Sequence, residues 1–96
     1  MILQPYKEKI AQMCQENDVS YLGLFGSYSR GEENPQSDVD LLVEYSQRVS
    51  MFDHVRLQRK LAELLMKNVD LVTKKSLHPY IKDYILKDLQ TIYAKR

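Results

Sequence analysis

The spacing of hydrophobic positions changes several times along the chain, and each change marks a predicted element. Residues 4–18 place Tyr6, Ile10, Met13 and Cys14 on one helical face. Three later runs are short, apolar and rich in β-branched or aromatic residues, which is typical of strands. These runs are Val19–Phe25, Val39–Tyr45 and Val69–Thr73.

Helices are predicted between and after these strands. Residues 26–31 indicate a turn that enters a short helix, and residues 31–37 form a polar loop. Ser50, with Asp53 three residues later, can cap a long helix that ends before Asn68. Ser76 and Pro79 open a last helix. Its predicted apolar stripe comprises Ile81, Tyr84, Ile85, Leu89 and Ile92.

The resulting order, α-β-α-β-α-β-α, predicts an α/β (α+β) fold with a small, mixed three-stranded sheet flanked by helices. Ninety-six residues predict one domain over residues 1–96, with one modest core and no room for a separate substrate domain.

The composition argues against several classes of protein. The net charge of +1 argues against a general binder of nucleic acids or membrane surfaces, and no apolar run is long enough for a membrane span. A single cysteine makes no internal disulfide, which fits the cytoplasm. The charge is uneven, because residues 1–48 hold four bases and eight acids, whereas residues 49–96 hold ten bases and five acids.

An acidic pair opens the second predicted strand. Asp38 and Asp40 point to the same face, opposite the apolar Val39, Leu41 and Val43. Two adjacent carboxylates repel each other, and a hard cation such as Mg²⁺ removes that conflict. The alternative interpretation is a strand start with two solvated acids.

A third carboxylate, Asp70, lies in the third predicted strand. An ionised Asp in an apolar strand is costly unless it is paired or bound to a metal. Asp70 joins Asp38 and Asp40 if the two strands are neighbours. The alternative is an edge-strand Asp that faces water.

The end of the first strand suggests a phosphate-binding loop. Gly26 allows close approach to the backbone, Ser27 adds a hydroxyl donor, and Arg30 follows one helical turn later. Two roles are open for Arg30: it contacts the same phosphate, or it braces the loop. An ordinary turn is the alternative for the Gly-Ser pair.

Together these motifs resemble the nucleotidyltransferase fold related to DNA polymerase beta. More narrowly, the chain resembles the minimal nucleotidyltransferases (MNT), which are the antitoxins of HEPN/MNT toxin–antitoxin pairs. The resemblance extends from the first strand to the last helix. Ser29 departs from the Ala of many relatives, a small change that leaves the motif intact.

The resemblance implies a role for each matching residue. Asp38 and Asp40 correspond to paired metal ligands, and Asp70 to a third ligand that can accept the attacking hydroxyl's proton. Gly26 and Ser27 correspond to the triphosphate loop, and Arg30 to the Arg of its Arg-Gly pair. The implied cofactor is Mg²⁺, as two ions, with ATP as donor.

The implied reaction is transfer of AMP from ATP to a tyrosine hydroxyl of a HEPN-type ribonuclease toxin, which is thereby neutralised. We expect a complex with the toxin, no membrane association and no direct nucleic-acid binding, with a homodimer left open. Two alternatives remain: neutralisation by binding alone, and transfer to a small molecule.

Overall fold

The computed structural model describes residues 3–95, and its helices and strands alternate along most of the chain. The predicted span of residues 1–96 includes residues 1, 2 and 96, which lie outside the described residues. The helices are α1 (Lys7–Glu16), α2 (Ser27–Arg30), α3 (Met51–Leu65) and α4 (Pro79–Asp88), and short 3₁₀ turns cover Gln4–Tyr6 and Lys74–Ser76. The strands are β1 (Val19–Phe25), β2 (Val39–Tyr45), β3 (Val69–Thr73) and β4 (Gln90–Ala94).

The four strands form one mixed sheet in the order β3-β2-β1-β4. Strands β2 and β3 run parallel and are joined by α3, whereas β1 is antiparallel to both β2 and β4. The mixed sheet flanked by helices is confirmed. The bounds of β1, β2 and β3 are those predicted from the hydrophobic runs.

The core lies between one face of the sheet and helices α1 and α3. Because side chains alternate along a strand, Val39, Leu41 and Val43 of β2 all point to this face, and all three are fully buried. Helix α1 contributes Ile10 and Cys14 to the same cluster. Helix α3 contributes Leu57, Leu61 and Leu65.

The predicted cap at the start of α3 is confirmed. The Asp53 amide donates to Ser50 Oγ at 3.1 Å, and the Ser50 amide donates to Asp53 Oδ2 at 3.4 Å. This reciprocal pair satisfies two amides that the first helical turn would otherwise leave without partners. It fixes the point where the chain leaves β2 and enters the crossover helix.

The prediction of three strands and of a last helix reaching Ile92 was wrong. Helix α4 ends at Asp88, Leu89 has extended backbone angles, and β4 pairs with β1 from Gln90 onward. Without β4, β1 would be an edge strand with unpaired backbone groups. The β-branched and aromatic residues at 91–93 favour the strand that covers this edge.

The predicted apolar stripe of the last helix was wrong at Ile81 and Tyr84, whereas Ile85, Leu89 and Ile92 are half-buried or buried. Ile81 is 48% exposed and Tyr84 is 71% exposed, because the helix turns a different side toward the sheet. Its half-buried residues include Ile85, and Leu89 follows just after the helix, close to Gly23, where a side chain at position 23 would collide with it. Within residues 3–95, no helix combines the length and apolar character that crossing a membrane requires.

Candidate active site

Asp40 and Asp70 lie side by side on neighbouring parallel strands. They are partners in the β2–β3 register, so their side chains point to the same face of the sheet. The backbone amide of Val39 donates to the Asn68 carbonyl at 2.9 Å and locks the starts of both strands together. The structure therefore places Asp70 beside Asp40, and the role of these residues as metal ligands stays a prediction.

The Asp40 carboxylate lies in an unfavourable electrostatic environment. Partial burial is the largest cause that raises the pKa of Asp40, and the negative charges of Asp70 and Asp38 raise it further. The positive charge of Arg30 lowers it. Asp38 and Asp70 are exposed, whereas Asp40 is half-buried. The three carboxylates thus form an acidic group around Asp40 that would be stabilised by a bound cation.

Gly26 lies directly against the Asp40 carboxylate. Its φ of 77° and ψ of −154° belong to a region that glycine adopts readily and other residues avoid. A Cβ atom at position 26 would overlap Asp40 Oδ2, so the turn also needs glycine for space. The end of β1 and the start of β2 therefore meet at this contact.

Ser27 begins α2 immediately after this turn and is half-buried. Its carbonyl accepts a hydrogen bond from the Glu32 amide at 2.9 Å, which closes the short helix. Gly31 ends the helix in the left-handed conformation. Because Ser27 directly follows Gly26, which contacts Asp40, it lies at the same end of the sheet as Asp40.

Arg30 braces α2 against the end of α4. Its Nη1 donates to Asp88 Oδ2 at 2.7 Å, and its Nε donates to Glu32 Oε1 at 2.8 Å. These two hydrogen bonds raise the pKa of the Arg30 guanidinium. Of the two roles expected from the sequence, the structure places Arg30 in the bracing role. Contact with a nucleotide remains a prediction.

Two residues to which the sequence assigned no role in the site, Ser29 and Gln90, complete this brace. The Ser29 hydroxyl donates to the Asp88 carbonyl, and Gln90 Nε2 donates to the Ser29 carbonyl at 2.9 Å. The local sequence carries no signal for these bonds, because the partners are 59 and 61 residues apart.

Tyr28 belongs to the core and not to a base-stacking surface. It is only 6% exposed and is part of the main hydrophobic cluster. Lys67 Nζ lies over its ring, 5.8 Å from the centre.

The acidic group fits a Mg²⁺ site that the substrate completes. Within residues 3–95, no group of three His, Cys, Asp or Glu side chains is arranged to hold a metal ion by itself. Mg²⁺ is usually bound by one or two carboxylates together with water and substrate phosphates, so an open set suits it. The pairing of Asp40 with Asp70 on one face of the sheet is the observation that supports a divalent cation here.

The paired carboxylates and the mixed sheet define a class of protein. Comparison with known proteins identifies the family. Residues 7–92 match the nucleotidyltransferase domain family, and the chain belongs to this family. The resemblance recognised in the motifs is confirmed. One similar relative is the protein adenylyltransferase MntA of Thermococcus cleftensis, which is 41% identical over 88 residues, covering 92% of this chain and 86% of the relative.

Solved structures agree with this assignment. A protein described as a minimal nucleotidyltransferase is similar at a TM-score of 0.81, with 32% identity over 92% of this chain and 90% of that one. A toxin–antitoxin structure with AMP-PNP matches at a TM-score of 0.77 and 26% identity, over 94% of this chain and 74% of that one. A complex of a tri-AMPylated Shewanella oneidensis HEPN toxin with its MNT antitoxin matches at a TM-score of 0.73 and 25% identity, over 99% of this chain and 74% of that one.

Proposed function

We propose that this nucleotidyltransferase transfers AMP from ATP to a tyrosine hydroxyl of a HEPN-type ribonuclease toxin and thereby acts as its antitoxin. The relatives support this proposal, since one is named a protein adenylyltransferase and another was solved with an AMPylated HEPN toxin. AMP on a tyrosine adds negative charge and bulk, which would block the RNA-binding site of the toxin.

In this proposal, the acidic group carries the chemistry. Two Mg²⁺ ions held by Asp38, Asp40 and Asp70 would lower the pKa of the tyrosine hydroxyl and neutralise charge on the leaving pyrophosphate. The tyrosine oxygen forms a bond to the α-phosphorus while the bond from that phosphorus to the β-phosphate oxygen breaks. Asp70, exposed at the outer strand β3, accepts the hydroxyl proton.

The loop after β1 positions the triphosphate. Gly26 has no side chain, which leaves space beside Asp40 for the phosphate oxygens. Ser27 donates its hydroxyl to these oxygens. Arg30 keeps α2 in place through Asp88 and adds positive charge near the phosphates. These roles follow from the family motif and from the contacts of the loop with Asp40.

The observation that carries the proposal is the register pairing of Asp40 with Asp70 beside Gly26. We expect Asp40→Asn to abolish transfer of label from α-labelled ATP to the partner toxin. Asp83→Asn, which removes one exposed carboxylate from α4, is the matched control and should keep full transfer. Wild-type labelling by the Asp40 variant would refute the proposed site.

A second measurement separates catalysis from neutralisation by binding. The intact mass of toxin produced together with this protein should increase by the mass of one or more AMP units. An unmodified toxin held in a stable, inactive complex would instead establish neutralisation by binding alone.

We also propose that the protein works in the cytoplasm. Its one cysteine, Cys14, is 1% exposed, and burial raises the pKa of the thiol to about 12. Such a thiol packs as a small hydrophobic group and is poorly suited to pairing outside the core. Fractionation of the native host cell should recover the protein in the cytoplasmic fraction.

A further inference from the structure

Strand β3, which holds Asp70, lies at one end of the sheet, and among the described residues no strand pairs with its outer side. The Val39 amide donates to the Asn68 carbonyl, so residue 68 directs its backbone groups toward β2. Backbone groups of successive residues in a strand point to alternate sides, so those of Asp70 also point toward β2 and those of Leu71 point away. The Leu71 amide and carbonyl therefore need partners from outside the sheet.

Two side chains of α3 provide these partners. The Leu71 amide donates to Gln58 Oε1 at 2.9 Å, and His54 Nε2 lies 2.9 Å from the Leu71 carbonyl oxygen. Because a carbonyl only accepts, Nε2 carries the ring proton and donates it. His54 and Gln58 are four residues apart, so they extend from the same side of the helix. Leu71 is buried, which makes an unpaired amide or carbonyl at this position costly.

The ring of His54 is held from its other side as well. Tyr45 Oη lies 2.8 Å from His54 Nδ1, which accepts the bond because Nε2 carries the ring proton. Burial raises the pKa of Tyr45 to about 12, so its hydroxyl stays protonated and donates at neutral pH. These bonds connect the end of β2, helix α3 and the outer side of β3.

The Asp70 carboxylate has no comparable support of its own. It is exposed, and within residues 3–95 its side chain makes no hydrogen bond or salt bridge. Its position opposite Asp40 therefore depends on the path of its strand. The Asp70 carbonyl and the Leu71 amide belong to one planar peptide unit, so the bond from that amide to Gln58 fixes the peptide that directly follows Asp70.

We infer that Gln58 and His54 are positioning residues that hold Asp70 opposite Asp40. This inference rests on the proposed function, in which Asp70 accepts the hydroxyl proton. Both side chains act through the backbone of β3 and not through contact with a substrate. The triphosphate loop follows β1, on the far side of β2, so losing either bond displaces the outer carboxylate and leaves that loop in place.

The first test separates catalysis from ATP binding. Gln58→Met and His54→Leu each remove one hydrogen bond to Leu71 and keep an apolar side chain of similar length. We expect kcat for label transfer to fall about tenfold in each variant, with the KM for ATP within about twofold of wild type. Gln12→Met, the same substitution at an exposed position of α1, should leave both values unchanged. An unaltered kcat in both Leu71-bond variants would overturn the inference.

Conservative variants separate positioning from a general loss of stability. Gln58→Glu keeps an oxygen that accepts from the Leu71 amide, and His54→Gln keeps an N–H that donates to the Leu71 carbonyl. Both should keep kcat within about threefold of wild type, because each retains its hydrogen bond. Thermal unfolding of all four variants checks that they fold. Conservative variants as slow as the apolar ones would overturn the inference, since the bonds to Leu71 would then not set the rate.

A second measurement requires no transfer to occur. In Gln58→Met, hydrogen exchange of the Leu71 amide should be about fivefold faster than in wild type or Gln12→Met, as expected for the loss of one hydrogen bond. NMR contacts between Leu41 and Asp70 across the two strands should weaken, while those between β1 and β2 stay unchanged. If wild-type protein transfers no AMP to the toxin, the proposed function fails, and these measurements still decide whether Gln58 positions Asp70. Unchanged exchange and unchanged contacts would overturn the positioning role.

Discussion

Arg30 and Asp88 form an ion pair that joins α2 to the end of α4. Arg30 Nη1 and Asp88 Oδ2 are 2.7 Å apart, although the residues are 58 positions apart in the sequence. The Ser29 hydroxyl strengthens the same junction by donating to the Asp88 carbonyl. The position of the loop beside Asp40 therefore depends on where α4 ends.

We predict that Asp88→Asn weakens ATP binding more than it slows catalysis. The variant loses the charge that holds Arg30, so α2 becomes less ordered while the three carboxylates stay in place. The KM for ATP should rise about fivefold with kcat nearly unchanged, as measured by steady-state transfer to the toxin. Asp83→Asn on the same helix is the control, and an unaltered KM in the Asp88 variant would contradict the bracing role.

Gly26→Ala should abolish activity, and Gly31→Ala provides its matched control. Both glycines have positive φ, but Gly31 lies in the left-handed region, where alanine costs about 1–2 kcal/mol, whereas the ψ of −154° puts Gly26 in a region that is essentially confined to glycine. A Cβ at position 26 collides with Asp40, whereas one at position 31 meets nothing within 4 Å.

The difference between these two variants therefore reports the contact with Asp40 together with the greater backbone strain at position 26. We expect label transfer to fall more than about a hundredfold in Gly26→Ala and to remain within about threefold of wild type in Gly31→Ala. Thermal unfolding of both variants checks that they fold. Equal activities would contradict a need for the close approach of Gly26 to Asp40.

The sequence predicts the acidic group well because the signal is local. Asp40 and Asp70 each interrupt a short apolar strand, and the helix between those strands fits a parallel crossover that brings them together. The Arg30–Asp88 pair and the Ser29 bond depend on tertiary docking between segments far apart in the chain, which hydrophobic spacing does not encode.

The end of the chain illustrates a different difficulty. Leu89 and Ile92 continue the helical spacing of Ile81 and Ile85, so periodicity alone extends the helix. The free edge of β1 determines the outcome instead, because the backbone groups of β1 gain partners when residues 90–94 form a strand. Ile92 is buried in both arrangements, whereas Ile81 is not.

This contrast predicts unequal costs for two identical substitutions. Ile92→Ala should lower the free energy of unfolding by about 2–5 kcal/mol, since Ile92 is 5% exposed in the core. Ile81→Ala should cost less than about 1 kcal/mol, because Ile81 is 48% exposed on a helix that favours alanine. Urea unfolding measures both, and similar losses would support the long helix.

The last prediction is that removing the catalytic charge stabilises the fold. Burial and the neighbouring Asp70 and Asp38 raise the pKa of Asp40. A carboxyl whose pKa is higher in the folded state than in the unfolded state destabilises the fold once it ionises. Asp40→Asn should therefore unfold at a temperature a few degrees above wild type at pH 7 without divalent ions.

The pH and metal dependence make this prediction specific. The stability advantage of Asp40→Asn should disappear as the pH falls below the ordinary carboxyl value of 3.8, where Asp40 is protonated in both states. Mg²⁺ should raise the unfolding temperature of wild type and have little effect on the variant, because a ligand that binds only the folded state stabilises it. A variant that is no more stable than wild type at pH 7, with Asp83→Asn as the charge control, would show that Asp40 is not under electrostatic strain.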